Sequence, residues 1–322
     1  MTTSATIVFV VGGTGAQGIP VVRGLVKDGA YIVRFLTRDA YSPRAKQLLA
    51  LGNRNVCGND DGKPREFVET VEGTFASEQD LRRGFRGATY AYVNIDGFNC
   101  GEKTEMFWAM RAYELAVEEG IKFFVYGNLD YVYQKSGFDS KFRCGHYDGK
   151  GRIGDWVLQQ NDDPNISKRM GAADRANGMN LEVAIDLIGY DDLTRAFEKV
   201  SGHPARYVDN GLDAYWANGP LGAGDTPAGY NADPDDPATM TMRQNFTGFW
   251  NVWRHSGGNR GVVRRDFKLL DEIHPGRIRS AEEWFAREEN RGEESGAGGI
   301  WNPANNLTPV LKVAEDCRQG RI

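Results

Sequence analysis

The chain has 322 residues and a formal net charge of −5, from 44 acidic and 39 basic side chains. This length allows one large domain or a large domain with a smaller one, and so mild a charge gives no reason to expect nucleic acid or an anionic membrane as a partner. The four cysteines are scattered without a CxxC pair, and no apolar run approaches the ~18 residues of a membrane helix. We therefore expect a reduced, cytoplasmic α/β protein without structural zinc.

The first predicted strand, residues 7–11, runs directly into three regularly spaced glycines. Apolar residues at helical spacing between positions 19 and 26 predict that a helix follows them. A strand, a tight glycine turn and a helix N-terminus form a pyrophosphate site, because main-chain N–H groups and the positive end of the helix dipole face the ligand. An ordinary glycine turn is the alternative. The cofactor-binding residues predicted from this motif are Gly12, Thr14, Gly15, Ala16, Gln17 and Gly18.

The second predicted strand, residues 31–36, ends in Thr37, Arg38 and Asp39. In dinucleotide-binding folds this strand end meets the adenosine ribose, where an acidic residue accepts from the 2′-hydroxyl and an arginine suits a 2′-phosphate. The guanidinium fork of Arg38 can pair with a phosphate and stack on adenine, so we predict NADP(H) rather than NAD(H). The alternative is that Asp39 is the ribose partner and Arg38 is a solvated loop residue.

Strands and helices continue to alternate up to about residue 160, which predicts a doubly wound parallel sheet of the Rossmann type. The third strand has two candidates, residues 55–57 and residues 66–71. Ser77 is a good N-cap for a short helix that ends near residue 84 or 87. The other elements expected in this half are helices at 42–51, 102–120 and 147–160 and strands at 88–95 and 121–126.

Beyond residue 160 the alternation fails, and turn-forming residues predict loops at 219–237 and 288–299. The chain is accordingly divided into an NADP-binding Rossmann domain at 1–172, completed by 173–200, and a smaller α+β domain at 201–322. The elements expected here are a strand at 178–185 and helices beginning at 189, 245 and 280. One packing face is predicted from i, i+3, i+4, i+7 spacing, formed by Phe246, Phe249, Trp250 and Trp253.

Three polar or aromatic residues lie at and just past the end of the fourth predicted strand: Asn94, Asp96 and Phe98. In a dinucleotide fold the chain passes the nicotinamide end of the cofactor at this point. We therefore predict that they line the cofactor site, with an ordinary loop as the alternative.

Seven segments carry a resemblance to a known family: 11–18, 36–39, 96–99, 124–130, 146–152, 245–250 and 273–279. Together they resemble the fungal NmrA-like group of atypical short-chain dehydrogenases/reductases. The resemblance implies a Rossmann domain, a smaller C-terminal domain around a substrate or partner cleft, and a bound dinucleotide, usually NADP. It also implies that some members bind the dinucleotide and act as redox sensors or partners of transcription factors.

The chain departs from this group at Ala172-Ala173-Asp174. Relatives insert a stretch on the order of fifty residues here, longer than a usual βα unit, with a further strand and an arm that lines the cleft. A lost piece of the sheet and an altered or incomplete sequence are both compatible with this junction.

Ordinary short-chain dehydrogenases use Tyr-x-x-x-Lys, in which the lysine lowers the tyrosine pKa and holds the nicotinamide ribose. In this chain Lys150 is preceded by His146 at i−4, on the same helix face, and by Tyr147 at i−3. Asn128 ends the fifth predicted strand, where a serine would polarise a carbonyl. We predict that Lys150 anchors the ribose and that His146, Tyr147 or a water protonates the product. The alternative is that Asn128 and His146 are structural polar residues.

Three functions therefore stay open. The first is an NADPH-dependent reductase of a small hydrophobic metabolite, and the second is an NADP(H)-sensing regulator that binds another protein. The third is an isomerase or cyclase that uses the pocket without redox turnover. The expected partner is a small-molecule substrate or a regulatory protein, and no metal is expected because no cluster has metal-ligand spacing.

Overall fold

The computed structural model describes residues 6–52, 67–163, 165, 178–218, 224–294 and 298–302. Its centre is a five-stranded parallel sheet with the strand order β3-β2-β1-β4-β5. This order places the carboxyl ends of β1 and β4 side by side, at the position where Rossmann folds bind dinucleotides. The strands are β1 Thr6–Val11, β2 Tyr31–Thr37, β3 Val68–Glu72, β4 Tyr90–Val93 and β5 Phe123–Tyr126.

Helices connect the strands and cover both faces of the sheet. Along β1, Phe9 and Val11 face a core formed with Leu81 and Phe85, whereas the alternate residues face a core that includes Phe35. This alternation follows from the two-residue period of a strand. The helices of this half are α1 Gly18–Asp28, α2 Pro43–Gly52, α3 Glu78–Phe85, α4 Gly97–Cys100, α5 Glu102–Glu118, α6 Val132–Lys135 and α7 Gly145–Gln159.

The predicted Rossmann-type sheet is confirmed. Ser77 caps α3 by accepting a hydrogen bond from the main-chain N–H of Asp80, as expected. The third strand is Val68–Glu72, the second of the two candidates, while residues 55–57 lie outside the described residues.

The described part of the C-terminal region is helical, with one isolated antiparallel bridge between Pro227 and Thr241. Residues 178–185 form no strand, so that prediction is wrong; four apolar side chains between 181 and 188 are exposed instead of packing on the sheet. The loop prediction for 288–299 is wrong for residues 288–294, because these belong to the last helix, which ends at Glu294. The helices are α8 Tyr190–Ser201, α9 Gly211–Asn218, α10 Met242–Arg254, α11 Phe267–Ile273 and α12 Ala281–Glu294.

The two halves share a buried cluster and an ion pair. Phe142 and Cys144 pack against Val252 of α10 and against Val263. The buried carboxylate of Asp130, after β5, binds the guanidinium of Arg265 through two hydrogen bonds of 3.0 and 2.6 Å. Within the described residues no helix is long and apolar enough to span a bilayer. The junction at Ala172-Ala173-Asp174 lies outside the described residues.

Candidate dinucleotide site

The turn between β1 and α1 requires glycine at two of the predicted positions. Gly12 has a φ of 81°, and a Cβ there would lie 2.3 Å from the main-chain oxygen of Asn94. A Cβ on Gly18 would lie 2.1 Å from the main-chain oxygen of Gly12. The amide of Gly15 donates to that same oxygen at 2.9 Å and closes the turn. The glycines therefore allow the helix N-terminus to approach the strand end closely.

The first turn of α1 is suited to an anion. Its N-cap residue, Gln17, does not cap the helix with its side chain, and the first turn carries no acidic residue. Ala16 and Gln17 are exposed, whereas Gly18 is buried against the strand. The positive end of the helix dipole thus faces an open side of the turn.

Two arginines belong to the region where β2 ends. Arg38 directly follows Thr37, the last residue of the strand. The carboxylate of Asp39 accepts from the main-chain N–H of Tyr41 at 2.8 Å, so it stabilises its own loop. Arg44 of α2 donates to the main-chain oxygen of Thr14 at 3.3 Å, which brings a second guanidinium to the glycine turn. Sequence analysis missed Arg44, because its partner lies thirty residues away.

Lys150 reaches the same site from α7. Its Nζ donates to Oδ1 of Asn94 at 3.1 Å and to the main-chain oxygen of Ile95 at 2.9 Å. Asn94 in turn donates from Nδ2 to Oε1 of Gln17 at 2.9 Å. A chain of hydrogen bonds thus joins the glycine turn, the end of β4 and α7, and it contains three of the predicted residues.

The glycines of α7 explain how the helix comes so close to the loop after β5. A Cβ on Gly151 would lie 2.6 Å from the main-chain nitrogen of Tyr131. A Cβ on Gly154 would lie 2.3 Å from Nδ2 of Asn128. These glycines reduce helix propensity, but larger residues at the two positions would force the helix away from the sheet. Asn128 consequently packs against α7, and its Oδ1 accepts from the amide of Leu129 at 2.7 Å.

A buried carboxylate faces Lys150 on its inner side. The Nζ of Lys150 lies 2.5 Å from Oε1 of Glu105 in α5, an ion pair that lacks hydrogen-bond alignment. The Glu105 side chain is fully buried, and burial raises its pKa despite the opposing charge of Lys150. The ammonium also lies 5.3 Å from the ring centroid of Tyr126. Sequence analysis missed Glu105, because an acidic residue in the first turn of a helix is explained by its favourable interaction with the helix dipole.

His146 lies in an aromatic enclosure. Its ring centroid is 4.7 Å from that of Phe98 and 5.5 Å from that of Phe246. Nδ2 of Asn245 donates to Nδ1 of His146 at 2.9 Å. Burial lowers the pKa of His146 to about 4, so the imidazole is neutral at pH 7. This state favours the structural alternative over a proton donor.

Tyr147 and the cleft residues are placed differently. Tyr147 packs beside the C-terminal cluster, with its ring centroid 5.9 Å from that of Phe249, and burial raises its pKa. Asp96 and Phe98 follow β4 beside Lys150's acceptors, and Phe98 is 40% exposed. The amide of Tyr230, from the C-terminal region, donates to the oxygen of Phe98 at 3.1 Å. Phe98 therefore contacts the C-terminal region twice, through its main chain at Tyr230 and through its ring, whose centroid lies 5.9 Å from that of Phe246.

The described residues contain no group of three or more His, Cys, Asp or Glu side chains arranged to hold a metal ion.

The NmrA-like family matches residues 4–163, the segment that contains the glycine turn, Asn94 and Lys150. This segment, about half of the chain, belongs to the NmrA-like family. This assignment agrees with the parallel sheet and with the resemblance of the sequence segments.

Similar NmrA-like proteins include one from Dictyostelium discoideum, 29% identical over 152 residues, which are 47% of this chain and 45% of that protein. An NmrA-like oxidoreductase, notA′ of Aspergillus versicolor, is 43% identical over 75 residues, 23% of this chain and 21% of that one. The chain thus spans less than half the length of these relatives.

Solved NmrA-like and related structures share the fold at low identity. The negative transcriptional regulator NmrA has a TM-score of 0.58 at 13% identity, covering 95% of this chain and 99% of that one. An NADPH-dependent quinone oxidoreductase from Escherichia coli has a TM-score of 0.51 at 13% identity, covering 86% and 98%. NmrA has also been solved in complex with NAD. These neighbours share the fold of this chain.

Proposed function

We propose that the chain binds NADP(H) at the glycine turn and is an NADPH-dependent reductase of a small hydrophobic metabolite. The observation that carries the proposal is the chain of hydrogen bonds from Lys150 through Asn94 to Gln17. It brings a cationic side chain to the edge where the glycine turn can receive a pyrophosphate.

The residues present fit the cofactor. A side chain at Gly12 or Gly18 would fill the space beneath the turn, and the first turn of α1 carries no acidic residue to repel a phosphate. Asp39 is occupied in its own loop, while Arg38 and Arg44 supply guanidinium groups near the adenosine end. This arrangement supports NADP(H) over NAD(H).

When bound, NADPH supplies a hydride to an electrophilic carbon of an unsaturated or carbonyl substrate. Lys150 orients the ribose, and the exposed face of Phe98 gives the substrate an apolar surface. A water in the open cleft supplies the proton that completes the reduction, because His146 is neutral and Tyr147 packs elsewhere.

The test is consumption of NADPH by the purified protein with a panel of enones, imines and aldehydes. We expect turnover with at least one class, and its loss in Lys150→Ala. Tight NADP binding without turnover of any substrate would contradict the reductase.

One observation favours a second function, an NADP(H)-sensing regulator. Burial lowers the pKa of His146 to about 4, the ring of Tyr147 packs against that of Phe249, and a solved structural neighbour is described as a negative transcriptional regulator. A regulator needs the cofactor to change its binding to a protein. NADP+ and NADPH would then alter partner binding to different extents in a pull-down, whereas equal effects would contradict this function.

A further inference from the structure

We propose that Glu105 is a positioning residue for Lys150, which it holds at the cofactor site as a charged ammonium. The inference rests on the proposed binding of NADP(H). It adds a residue, from a helix outside the glycine turn, to the determinants of cofactor affinity.

The ammonium of Lys150 is nearly buried and is surrounded by oxygen atoms. The Lys150 side chain is 11% exposed, and its Nζ has two neutral oxygen acceptors, on Asn94 and Ile95, besides Glu105. Carbonyl oxygens alone do not neutralise an ammonium removed from water. Glu105 is the anion in contact with Nζ, at 2.5 Å, and its own side chain has no exposed surface.

Neighbouring helices enclose the carboxylate of Glu105 tightly. A Cβ on Gly97 would lie 2.1 Å from Oε2 of Glu105, so the carboxylate occupies space that any larger residue at 97 would take. Gly97 begins α4, directly after Asp96, and α4 leads into the helix that carries Glu105. The carboxylate is therefore enclosed between α4, α5 and α7 and has little freedom to leave the lysine.

Five other titratable groups surround the Glu105–Lys150 pair. Glu102 lies three residues before Glu105 on α5, His146 lies one turn before Lys150 on α7, and the other three come from other elements. The titratable groups around the pair are Asp96, Cys100, Glu102, Tyr126 and His146. Burial raises the pKa of Glu105 most, Asp96 and Glu102 raise it further, and Lys150 opposes them by favouring the ionised carboxylate.

Glu105 should affect cofactor binding through the position of Lys150. Without its anionic partner, the nearly buried ammonium is an uncompensated charge, and burying such a charge is costly. In Glu105→Gln the lysine should therefore leave its place beside Asn94, and the affinity for NADP+ should fall by about tenfold or more.

The experiment is a calorimetric titration of NADP+ at neutral pH. The variants are Glu105→Gln, Glu105→Asp and, as matched control, Glu114→Gln, which removes an exposed carboxylate from the same helix. We expect the Asp variant to lie between wild type and Gln, and the control to match wild type. An unchanged affinity in both Glu105 variants overturns the inference. Failure of the wild type to bind NADP+ instead overturns the proposed function.

Thermal unfolding of the cofactor-free protein separates positioning from general stability. Glu105→Gln should lower Tm, and the double variant Glu105→Gln/Lys150→Met should recover much of that loss, because removing both charges leaves no unpaired ion. Its affinity for NADP+ should stay low. Recovery of affinity with stability would contradict a positioning role, and this comparison holds even if the single Gln variant does not fold.

Discussion

The Nζ of Lys150 lies 3.1 Å from Oδ1 of Asn94, a contact that joins α7 to the end of β4. Since Asn94 also donates to Gln17, the lysine is coupled to the first turn of α1, although 133 positions separate Lys150 from Gln17 in the sequence numbering.

Gly18→Ala should damage both stability and cofactor binding. Its Cβ would lie 2.1 Å from the main-chain oxygen of Gly12, so α1 must move away from β1. We expect a loss of about 1–3 kcal/mol in the free energy of unfolding and a roughly tenfold or greater loss of NADP+ affinity. Denaturant unfolding and calorimetry measure the two effects.

Gly24→Ala is the matched control on the same helix. A Cβ there meets nothing within 4 Å. Because alanine is the better helix former, this variant should gain about 0.5–1 kcal/mol of stability and keep its affinity for NADP+. Equal damage in both variants would contradict the role assigned to the glycine turn.

Arg38→Ala should reduce the preference for NADP+ over NAD+. A guanidinium that pairs with the 2′-phosphate contributes to NADP+ binding alone, at about 1.5–3 kcal/mol for a charged hydrogen bond. Arg44→Ala should act in the same direction, since Arg44 contacts Thr14 in the glycine turn. Binding of both dinucleotides is measured by calorimetry, with the exposed Arg23→Ala of α1 as control. An unchanged affinity ratio in Arg38→Ala would make the cofactor assignment wrong.

His146 should make the fold sensitive to acid. Burial lowers its folded-state pKa to about 4, from an ordinary value of 6.5. The unfolded state therefore binds the proton first, and stability falls as the pH drops from about 6.5 to about 4, by at most about 3 kcal/mol. In His146→Gln this contribution disappears.

The measurement is denaturant unfolding of wild type and His146→Gln at pH 7, 5.5 and 4.5. The gap in stability between the two proteins should narrow as the pH falls. His274→Gln, at an exposed position, is the control and should keep the wild-type slope. Parallel curves for wild type and His146→Gln would show instead that folding leaves the pKa of the imidazole unchanged.

Asp130→Asn should destabilise the contact between the two halves. Burial raises the pKa of Asp130, but hydrogen bonds from Arg265 and Lys135 outweigh it and leave the pKa lowered. Removing the carboxylate leaves a nearly buried Arg265 without its bidentate partner, which costs about 3 kcal/mol. Unfolding in denaturant measures the loss. Asp192→Asn, from the exposed pair with Arg195, should change stability by less than about 0.5 kcal/mol.

The local parts of the site could be predicted from the sequence, because their partners are near in the chain. The glycine turn and Ser77 follow from spacing and capping within a few residues. Lys150 follows from its similarity to the lysine of the Tyr-x-x-x-Lys motif of ordinary short-chain dehydrogenases.

The remaining parts depend on contacts across the fold. Glu105 is paired with a residue on another helix, and the pKa of His146 is lowered by burial against residues such as Phe246 of α10. No window of sequence around either residue contains its partner. The unformed strand at 178–185 is a further case, since its apolar pattern suits a sheet edge that it does not join.

The most direct test of the central claim is calorimetric titration of the purified wild-type protein with NADP+ and with NAD+. The account predicts saturable binding of one NADP+ per chain, with roughly tenfold or greater preference over NAD+, and loss of binding in Gly18→Ala. Absence of binding for both dinucleotides, or binding that Gly18→Ala leaves unchanged, would contradict it.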